Sequence, residues 1–179
     1  MPTLLVVHHS PTPLLQEVLS HVLEGANDPA LEGVDVKVVE ALDATIDDLT
    51  SADAILLGTS ANFGYISGAL KHFFDTTFRE AQEATKGLPF SYWIRGGFDT
   101  TGAENAMKTI TTGYKWELAA EPVVFVGSLD DDISDRVAPC GRVQDAAALQ
   151  QDRHGRPSAE TCCRTACSRA SGAKWLAKA

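Results

Sequence analysis

Cysteine is missing from most of this chain: all four cysteines lie at or after residue 140. A disulfide framework is therefore excluded as the support of the main body. Long apolar runs are also missing, because no stretch approaches the roughly 20 residues that a transmembrane helix needs. The apolar start, Leu4 to Val7, has no basic residues before it. We therefore expect neither a signal peptide nor a membrane partner, and we expect a cytoplasmic protein.

Positive charge is scarce over most of the sequence. The whole chain carries 15 Lys and Arg against 24 Asp and Glu, a net charge of -9. Residues 1–135 hold 7 against 21, a net charge of -14, whereas residues 136–179 hold 8 against 3, a net charge of +5. Because a nucleic-acid protein needs a basic face for its phosphate contacts, the composition argues against a nucleic-acid partner.

The change of charge divides the chain into two unlike regions. We predict one domain over residues 1–132 and an atypical basic tail over residues 133–179. The tail is rich in Arg, Ala, Ser and Cys, and its apolar residues keep poor helical spacing over 133–151, where a last helix is needed. Two explanations stay open: an irregular, disordered tail, or translation in a shifted reading frame of a GC-rich gene. The tail cysteines lack a CxxC pair, so we expect no metal site.

Short apolar runs alternate with helical patterns over residues 1–127. Strands are predicted at 4–7, 34–39, 54–59, 90–94 and 123–126. The alternation is typical of a parallel sheet covered by helices on both faces, so we predict an α/β fold with a doubly wound, three-layer arrangement. Thr12 and Pro13 indicate the start of the first helix and Gly25 its end. The buried stripe of the second long helix is predicted to comprise Ile66, Leu70, Phe73, Phe74 and Phe78.

In such a sheet, ligands bind beyond the carboxyl ends of the strands, where the strand order reverses. This rule points to three loops, at residues 9–13, 59–68 and 95–102. The first loop precedes a helix N-terminus, where free backbone N–H groups and the helix dipole attract an anion. Ser10 and Thr12 add hydroxyl groups, although they would serve equally as helix caps. The chain has no GxxxxGK[ST], which excludes an NTPase P-loop, and no GxGxxG after its first strand, which argues against a dinucleotide-binding domain.

The second and third loops favour a flat, polar ring as the ligand. Small residues in the second loop allow close approach to the backbone. Asn62 can donate and accept hydrogen bonds at a ring edge, and Phe63 and Tyr65 offer aromatic faces. In the third loop, Gly96 and Gly97 permit a tight turn. The alternative for the second loop is a helix entry with an aromatic contact to the core.

One stretch carries a family resemblance. Gly58-Thr59, Phe63-Gly64, Ser67-Gly68, Leu70-Lys71, Phe73 and Asp75 stand in a pattern that resembles the second flavin-binding loop and following helix of flavodoxin-fold FMN proteins. The similarity is to the NAD(P)H-dependent FMN reductases and the related quinone oxidoreductases, and it extends over residues 2–127 in element order. It implies a flavodoxin-like, five-stranded parallel sheet of order 2-1-3-4-5. It also implies a noncovalent FMN, with NAD(P)H as electron donor.

The resemblance assigns cofactor-binding residues by position. The phosphate would lie in the first loop and the isoalloxazine ring between the second and third. The implied residues are His9, Ser10, Thr12 and Pro13 in the first loop, Ser60, Ala61, Asn62, Phe63, Gly64 and Tyr65 in the second, and Arg95, Gly96, Gly97, Phe98 and Asp99 in the third. One departure is clear: Pro11 and Pro13 remove two N–H donors from a loop that usually supplies them.

The function implied is an FMN-dependent oxidoreductase that moves electrons from NAD(P)H to a quinone or another acceptor. Two alternatives stay open: a flavodoxin-type electron carrier, and a flavodoxin-fold module that has lost FMN. The partner is then a small-molecule substrate or a redox partner protein. For the Phe-rich second long helix two alternatives stay open: apolar surface to spare for a homodimer, or burial of the whole stripe in the core. We assign no catalytic acid or base, because the flavin carries out the electron transfer in such proteins.

Overall fold

The computed structural model describes residues 1–27 and 33–140 of the 179-residue chain. Its elements in chain order are β1 (Thr3–His8), α1 (Pro13–Ala26), β2 (Asp35–Glu40), α2 (Ile46–Ser51), β3 (Ala54–Asn62), β4 (Tyr65–Ile66), α3 (Gly68–Ala84), β5 (Pro89–Gly96), α4 (Thr101–Tyr114), β6 (Glu117–Leu118), β7 (Val123–Val126) and α5 (Asp131–Cys140). The predicted alternation of strands and helices is confirmed.

The sheet is parallel through its five main strands. β2 pairs with β1, β1 with β3, β3 with β5, and β5 with β7. When the five main strands alone are numbered in chain order, so that β5 is the fourth and β7 the fifth, this is the predicted order 2-1-3-4-5. The short β6 pairs with the start of β5 at Pro89↔Glu117, whereas β7 pairs with its end at Trp93↔Val123. The last position of the sheet is thus filled by two short segments instead of one strand.

Helices cover both faces, which gives the predicted three layers. Alternate residues of the central strands point to opposite faces. Leu4 and Val6 join a core with α1 residues such as Val18 and Val22, and Ile133 of α5 packs against it. On the other face, residues of β1, β3 and β5 join a larger core with α2, α3 and α4. Each fully buried large apolar side chain contributes about 1.5–3 kcal/mol to folding.

The helix starts follow their capping residues. The Thr12 side chain accepts a hydrogen bond from the Leu15 N–H, and Pro13 is the first residue of α1, as predicted. Ser67 caps α3 in the same way by accepting from the Leu70 N–H. The predicted end of α1 at Gly25 is wrong by one residue, because the helix continues to Ala26.

Two residues of the predicted buried helical stripe differ from the prediction, one in its element and one in its exposure. Ile66 is buried but lies in β4, because the chain forms an extra strand before α3 begins. Phe78 lies in α3 but is 38% exposed. Its ring packs against Tyr114 of α4 at 5.0 Å between ring centroids. The remaining stripe residues, Leu70, Phe73 and Phe74, are buried as predicted.

The last described helix crosses the predicted domain boundary. α5 begins at Asp131, so Asp131 and Asp132 occupy its first turn, where the helix dipole favours negative charge. The boundary predicted after residue 132 therefore falls inside this turn. The rest of the predicted tail, residues 141–179, lies outside the described residues, and its proposed origin stays a prediction. In the described part of the chain no helix is long and apolar enough to cross a membrane.

Candidate functional site

The three predicted loops meet at the carboxyl edge of the sheet. The first loop follows β1, the second follows β3, and the third follows β5. Because these three strands are neighbours and parallel, their carboxyl ends lie side by side. The strand order reverses between β1 and β3, which is the position where this architecture binds its ligands.

The first loop is held close to the sheet before it enters α1. The His9 N–H donates to the Gly58 carbonyl oxygen at 3.0 Å, so the loop starts as a continuation of the β1–β3 pairing. Ser10 follows and is only 3% exposed. α1 then begins at Pro13 under its Thr12 cap. The arrangement places a buried hydroxyl and a helix N-terminus at one point, which suits an anionic group.

A polar cluster lies directly beneath this loop. His8 Nδ1 is 3.1 Å from Ser10 Oγ and 3.7 Å from Glu40 Oε1. Burial lowers the pKa of His8, while the Glu40 carboxylate acts in the opposite direction and His9 adds to the lowering. Neither His8 nor Glu40 is among the predicted site residues. The signal was the parallel pairing of β1 and β2, which sets His8 opposite Glu40.

His9 carries an unsatisfied polar atom. Its Nδ1 is buried and has no hydrogen-bond partner among the described residues. A buried ring nitrogen without a partner is uncommon, because such a group costs free energy when it is removed from water. A bound anion at this loop would supply the missing partner. The first loop therefore fits the phosphate of FMN despite its two prolines.

The second loop is a β-hairpin, which the sequence did not predict. β3 continues to Asn62, and β4 returns antiparallel to it with Asn62 paired to Tyr65. Phe63 and Gly64 form the turn with φ of 50° and 72°. Two positive φ values in succession are typical of the type I′ turn that closes tight hairpins. The prediction of a strand end at Thr59 is therefore wrong, because three further residues pair in the hairpin or lead into it.

The third loop is shaped by its own polar side chains. The Asp99 carboxylate accepts hydrogen bonds from the Thr101 hydroxyl at 2.7 Å and from the Thr101 N–H at 3.2 Å. These bonds lower the pKa of Asp99. The Thr100 hydroxyl donates to Glu104 at 2.7 Å. The contacts fix the turn from β5 into α4 and leave Phe98 projecting from it.

A backbone contact joins the second and third loops. A Cβ atom added to Gly102, at the start of α4, would lie 2.0 Å from the Gly64 carbonyl oxygen. Only glycine permits this approach, since real Cβ atoms do not come so close to backbone oxygen. The hairpin turn and the N-terminus of α4 therefore form one unit, and the two loops predicted to enclose a ring are in direct contact.

Two aromatic rings at these loops are left uncovered by the described residues. Phe63 and Phe98 are fully exposed, and Tyr65 is 41% exposed. Phe63 also has a positive φ, which is uncommon for a residue other than glycine. Exposed aromatic side chains beside a ligand-binding edge offer flat faces for stacking. Phe63 and Phe98 are therefore suited to contact an isoalloxazine ring.

Arg95 uses one of its donor groups for a hydrogen bond within the protein. Its Nε donates to the Gly127 carbonyl oxygen, just beyond β7, at 2.9 Å. Its neighbour across the β3–β5 pairing is Ser60, which is 8% exposed. The structure thus places Arg95 and Ser60 side by side at the carboxyl edge. Their contact with a flavin stays a prediction.

One groove among the described residues lies elsewhere. It has a volume of about 400 Å³ and runs between α3 and α4, lined by Phe74, Phe78, Ile110 and Tyr114 among others. None of the predicted site residues lines it. We place the candidate site at the three loops, because the buried polar groups and the exposed aromatic rings lie there. The homodimer expected from the Phe-rich helix stays a prediction. Among residues 1–27 and 33–140 there is no group of three His, Cys, Asp or Glu side chains arranged to hold a metal ion.

Solved structures establish the class of fold. A flavodoxin from Streptococcus pneumoniae TIGR4 superposes with a TM-score of 0.68 at 18% identity, covering 80% of this chain and 98% of that one. A WrbA-like flavodoxin from Agrobacterium tumefaciens gives 0.67 at 17% identity, covering 83% and 99%. At such identities the likeness shows the fold alone. The molecule is a flavodoxin-fold protein, as the resemblance implied.

The family follows from the sequence comparison. The family model described as NADPH-dependent FMN reductase matches residues 19–128, more than half of the chain. This chain belongs to that family. A flavodoxin from Aquifex aeolicus (strain VF5) is 33% identical over 75 residues, a match that spans 42% of this chain and only 40% of that flavodoxin. The family match covers the second and third loops but begins inside α1, after the first loop.

Proposed function

We propose that this protein is an FMN-dependent oxidoreductase that takes electrons from NAD(P)H and passes them to a quinone or another acceptor. Membership of the FMN reductase family and the flavodoxin fold support the coarser statement, a flavodoxin-type FMN oxidoreductase or carrier. The observation that carries the proposal is the placement of Phe63 and Phe98, both fully exposed, on two adjoining loops at the strand ends where this fold binds ligands.

Each loop has its own task in this proposal. The first loop, with Ser10, His9 and the start of α1, holds the phosphate. The hairpin and the third loop hold the ring, with Phe63 and Phe98 supplying apolar faces and neighbouring backbone groups supplying hydrogen bonds. FMN, when bound, supplies the hydride-accepting and electron-donating chemistry. The protein contributes position, exclusion of water and the electrostatics around the ring.

Reduction of the FMN-loaded protein by NADPH tests the enzyme proposal. In the absence of oxygen, NADPH or NADH should bleach the visible flavin absorbance, and a quinone added afterwards should restore it. Free FMN at the same concentration is the control for uncatalysed reduction. A bound flavin that neither nucleotide reduces faster than free FMN would contradict the proposal.

A flavodoxin-type electron carrier is the second candidate. The net charge of -14 over residues 1–135 favours it, since an acidic surface promotes docking to a basic redox protein. A carrier would exchange electrons with a reductase protein yet show no direct reaction with NAD(P)H. The same anaerobic experiment therefore separates the two candidates. A chain that takes up no flavin would instead support the third alternative, a module that has lost FMN.

A further inference from the structure

Three polar side chains lie in a row behind the first loop. Ser10 Oγ is 3.1 Å from His8 Nδ1, and the same nitrogen is 3.7 Å from Glu40 Oε1. Ser10 and His8 are 3% and 6% exposed, so neither is free to choose other partners from solvent. We infer that His8, oriented by Glu40, positions the Ser10 hydroxyl to donate its proton to the phosphate of FMN. The inference rests on the proposed function, because it needs that phosphate at the first loop.

The direction of one proton decides what Ser10 can do. A serine hydroxyl has a single hydrogen to donate and lone pairs to accept with. If His8 Nδ1 carries no hydrogen, Ser10 donates to it and presents only lone pairs to an incoming phosphate. If Nδ1 carries a hydrogen, Ser10 accepts that bond, and its own hydrogen is free for the phosphate oxygen. The histidine thus sets whether Ser10 donates a hydrogen bond to the anion or faces it with lone pairs.

Glu40 selects the favourable arrangement. Its carboxylate lies nearest the same ring nitrogen that contacts Ser10, and a negative charge there favours a hydrogen on Nδ1. The other titratable neighbour that acts on His8 is His9, the next residue in the chain. The first turn of α1, which follows the loop, contains no acidic residue. The favoured state of His8 therefore requires no protonation to a cation, only the tautomer with Nδ1–H.

The two prolines make this hydroxyl more important. Pro11 and Pro13 have no N–H groups, so the loop has fewer backbone donors than a loop of other residues would have. A donor from a buried hydroxyl to a charged oxygen is worth more than an ordinary hydrogen bond, about 1.5–3 kcal/mol. In affinity this corresponds to roughly tenfold or more. Ser10, once its proton points outward, offsets part of what the prolines remove.

The experiment compares FMN with riboflavin, which lacks the phosphate, by fluorescence titration of the full chain. Removing Ser10 (S10A) or the ring nitrogen of His8 (H8L) should each weaken FMN binding roughly tenfold and leave riboflavin binding unchanged. The S10A/H8L double variant should be no weaker than the single variants, because both changes remove the same hydrogen bond. Replacing His8 by asparagine (H8N) instead keeps an N–H donor near the position of Nδ1 and should restore most of the FMN affinity.

Two further variants keep the test decisive if H8L folds poorly. E40Q changes a half-exposed side chain and should lower the preference for FMN by a smaller factor, about two- to threefold, the size of a partly screened charge effect. His21→Leu, at an α1 histidine away from the loop, is the matched control and should change neither affinity. Acidification should also increase the FMN preference of the wild type more than that of H8N, since only the wild type gains a proton at residue 8.

The outcomes separate this inference from the proposed function. Failure of the wild-type chain to bind either flavin would overturn both. FMN binding with an unchanged FMN-to-riboflavin preference in H8L and S10A would overturn the inference alone. So would independent, additive losses in S10A and H8L, or an H8N variant as weak as H8L, because then His8 would serve only as structural support.

Discussion

At the first loop of the candidate site Ser10 and His8 are 3% and 6% exposed, whereas Phe63 and Phe98 at the other two loops are fully exposed. The difference follows from what each part of the site has to bind: the phosphate at the first loop and the flavin ring at the other two. Buried polar groups are costly without partners, so the phosphate end needs its hydrogen bonds arranged beforehand. Apolar rings can remain in water at a moderate cost until a flat ligand covers them. The two ends therefore contribute differently, one to selectivity for phosphate and the other to binding of the ring.

The largest effect is expected from the glycine that joins the hairpin to α4. Gly102→Ala places a methyl group 2.0 Å from the Gly64 carbonyl oxygen, so the two loops must move apart. Strain of about 1–3 kcal/mol should weaken FMN and riboflavin alike, by roughly fivefold to a hundredfold. The measurement is fluorescence titration of both flavins. Gly113→Ala, whose added Cβ would meet the Phe78 ring at an ordinary contact distance of 3.6 Å, is the matched control in the same helix and should bind normally.

Removal of one exposed ring should have the next largest effect. Phe98→Ala loses a stacking face worth about 0.5–1.5 kcal/mol, so both flavins should bind roughly three- to tenfold more weakly. Because no phosphate is involved, the preference for FMN over riboflavin should not change. Phe78→Ala serves as the control, since Phe78 is 38% exposed but lies in the groove between α3 and α4. Equal losses in the two variants would contradict a ring site at the loops.

Acid should reduce the stability of the phosphate end before any ligand is present. Burial holds the pKa of His8 below its ordinary value of 6.5 in the folded chain. The unfolded chain then binds the proton more readily, so this contribution to stability is complete above about pH 6.5 and is lost as the pH falls through the lowered value. Denaturant unfolding of wild type and H8N across this range measures it. H8N should lose less stability on acidification, and parallel curves for the two proteins would refute the prediction.

The smallest effect concerns the helix cap at the same loop. Thr12→Ala removes the hydroxyl that accepts from the Leu15 N–H at 3.4 Å. This long bond should be worth about 0.5–1 kcal/mol in the free energy of unfolding. Thr45→Ala removes the corresponding cap of α2, which lies in a capping box. The two variants should unfold at similarly reduced denaturant concentrations, but only Thr12→Ala should also reduce the preference for FMN.

The sequence predicted the fold well, because strand and helix patterns depend on local residues. The five strand positions, their order and the Thr12 cap are all recovered in the structure. The hairpin was not predicted, since its two turn residues are Phe63 and Gly64 and a phenylalanine with positive φ is not a usual turn signal. The exposure of Phe78 was not predicted either, because it depends on how α3 packs against α4 and not on the spacing of apolar residues within α3.

The details of the site depend still more on contacts between distant segments. The pairing of His8 with Glu40 needs the alignment of β1 with β2, and the approach of Gly102 to Gly64 needs the packing of α4 on the hairpin. Neither contact leaves a local pattern in the sequence. The resemblance to FMN proteins identified the loops without showing that Ser10 in the first loop is buried and that the other two loops carry uncovered rings.

Titration of the purified wild-type chain with FMN and with riboflavin tests the central claim most directly. Flavin fluorescence and the visible spectrum report binding without any assumption about the electron donor. Both flavins should bind, because both present the ring to Phe63 and Phe98, and FMN should bind at least roughly tenfold more tightly because of its phosphate. The absence of binding by either flavin, or equal affinity for the two, would contradict the division of the site into a phosphate end and a ring end.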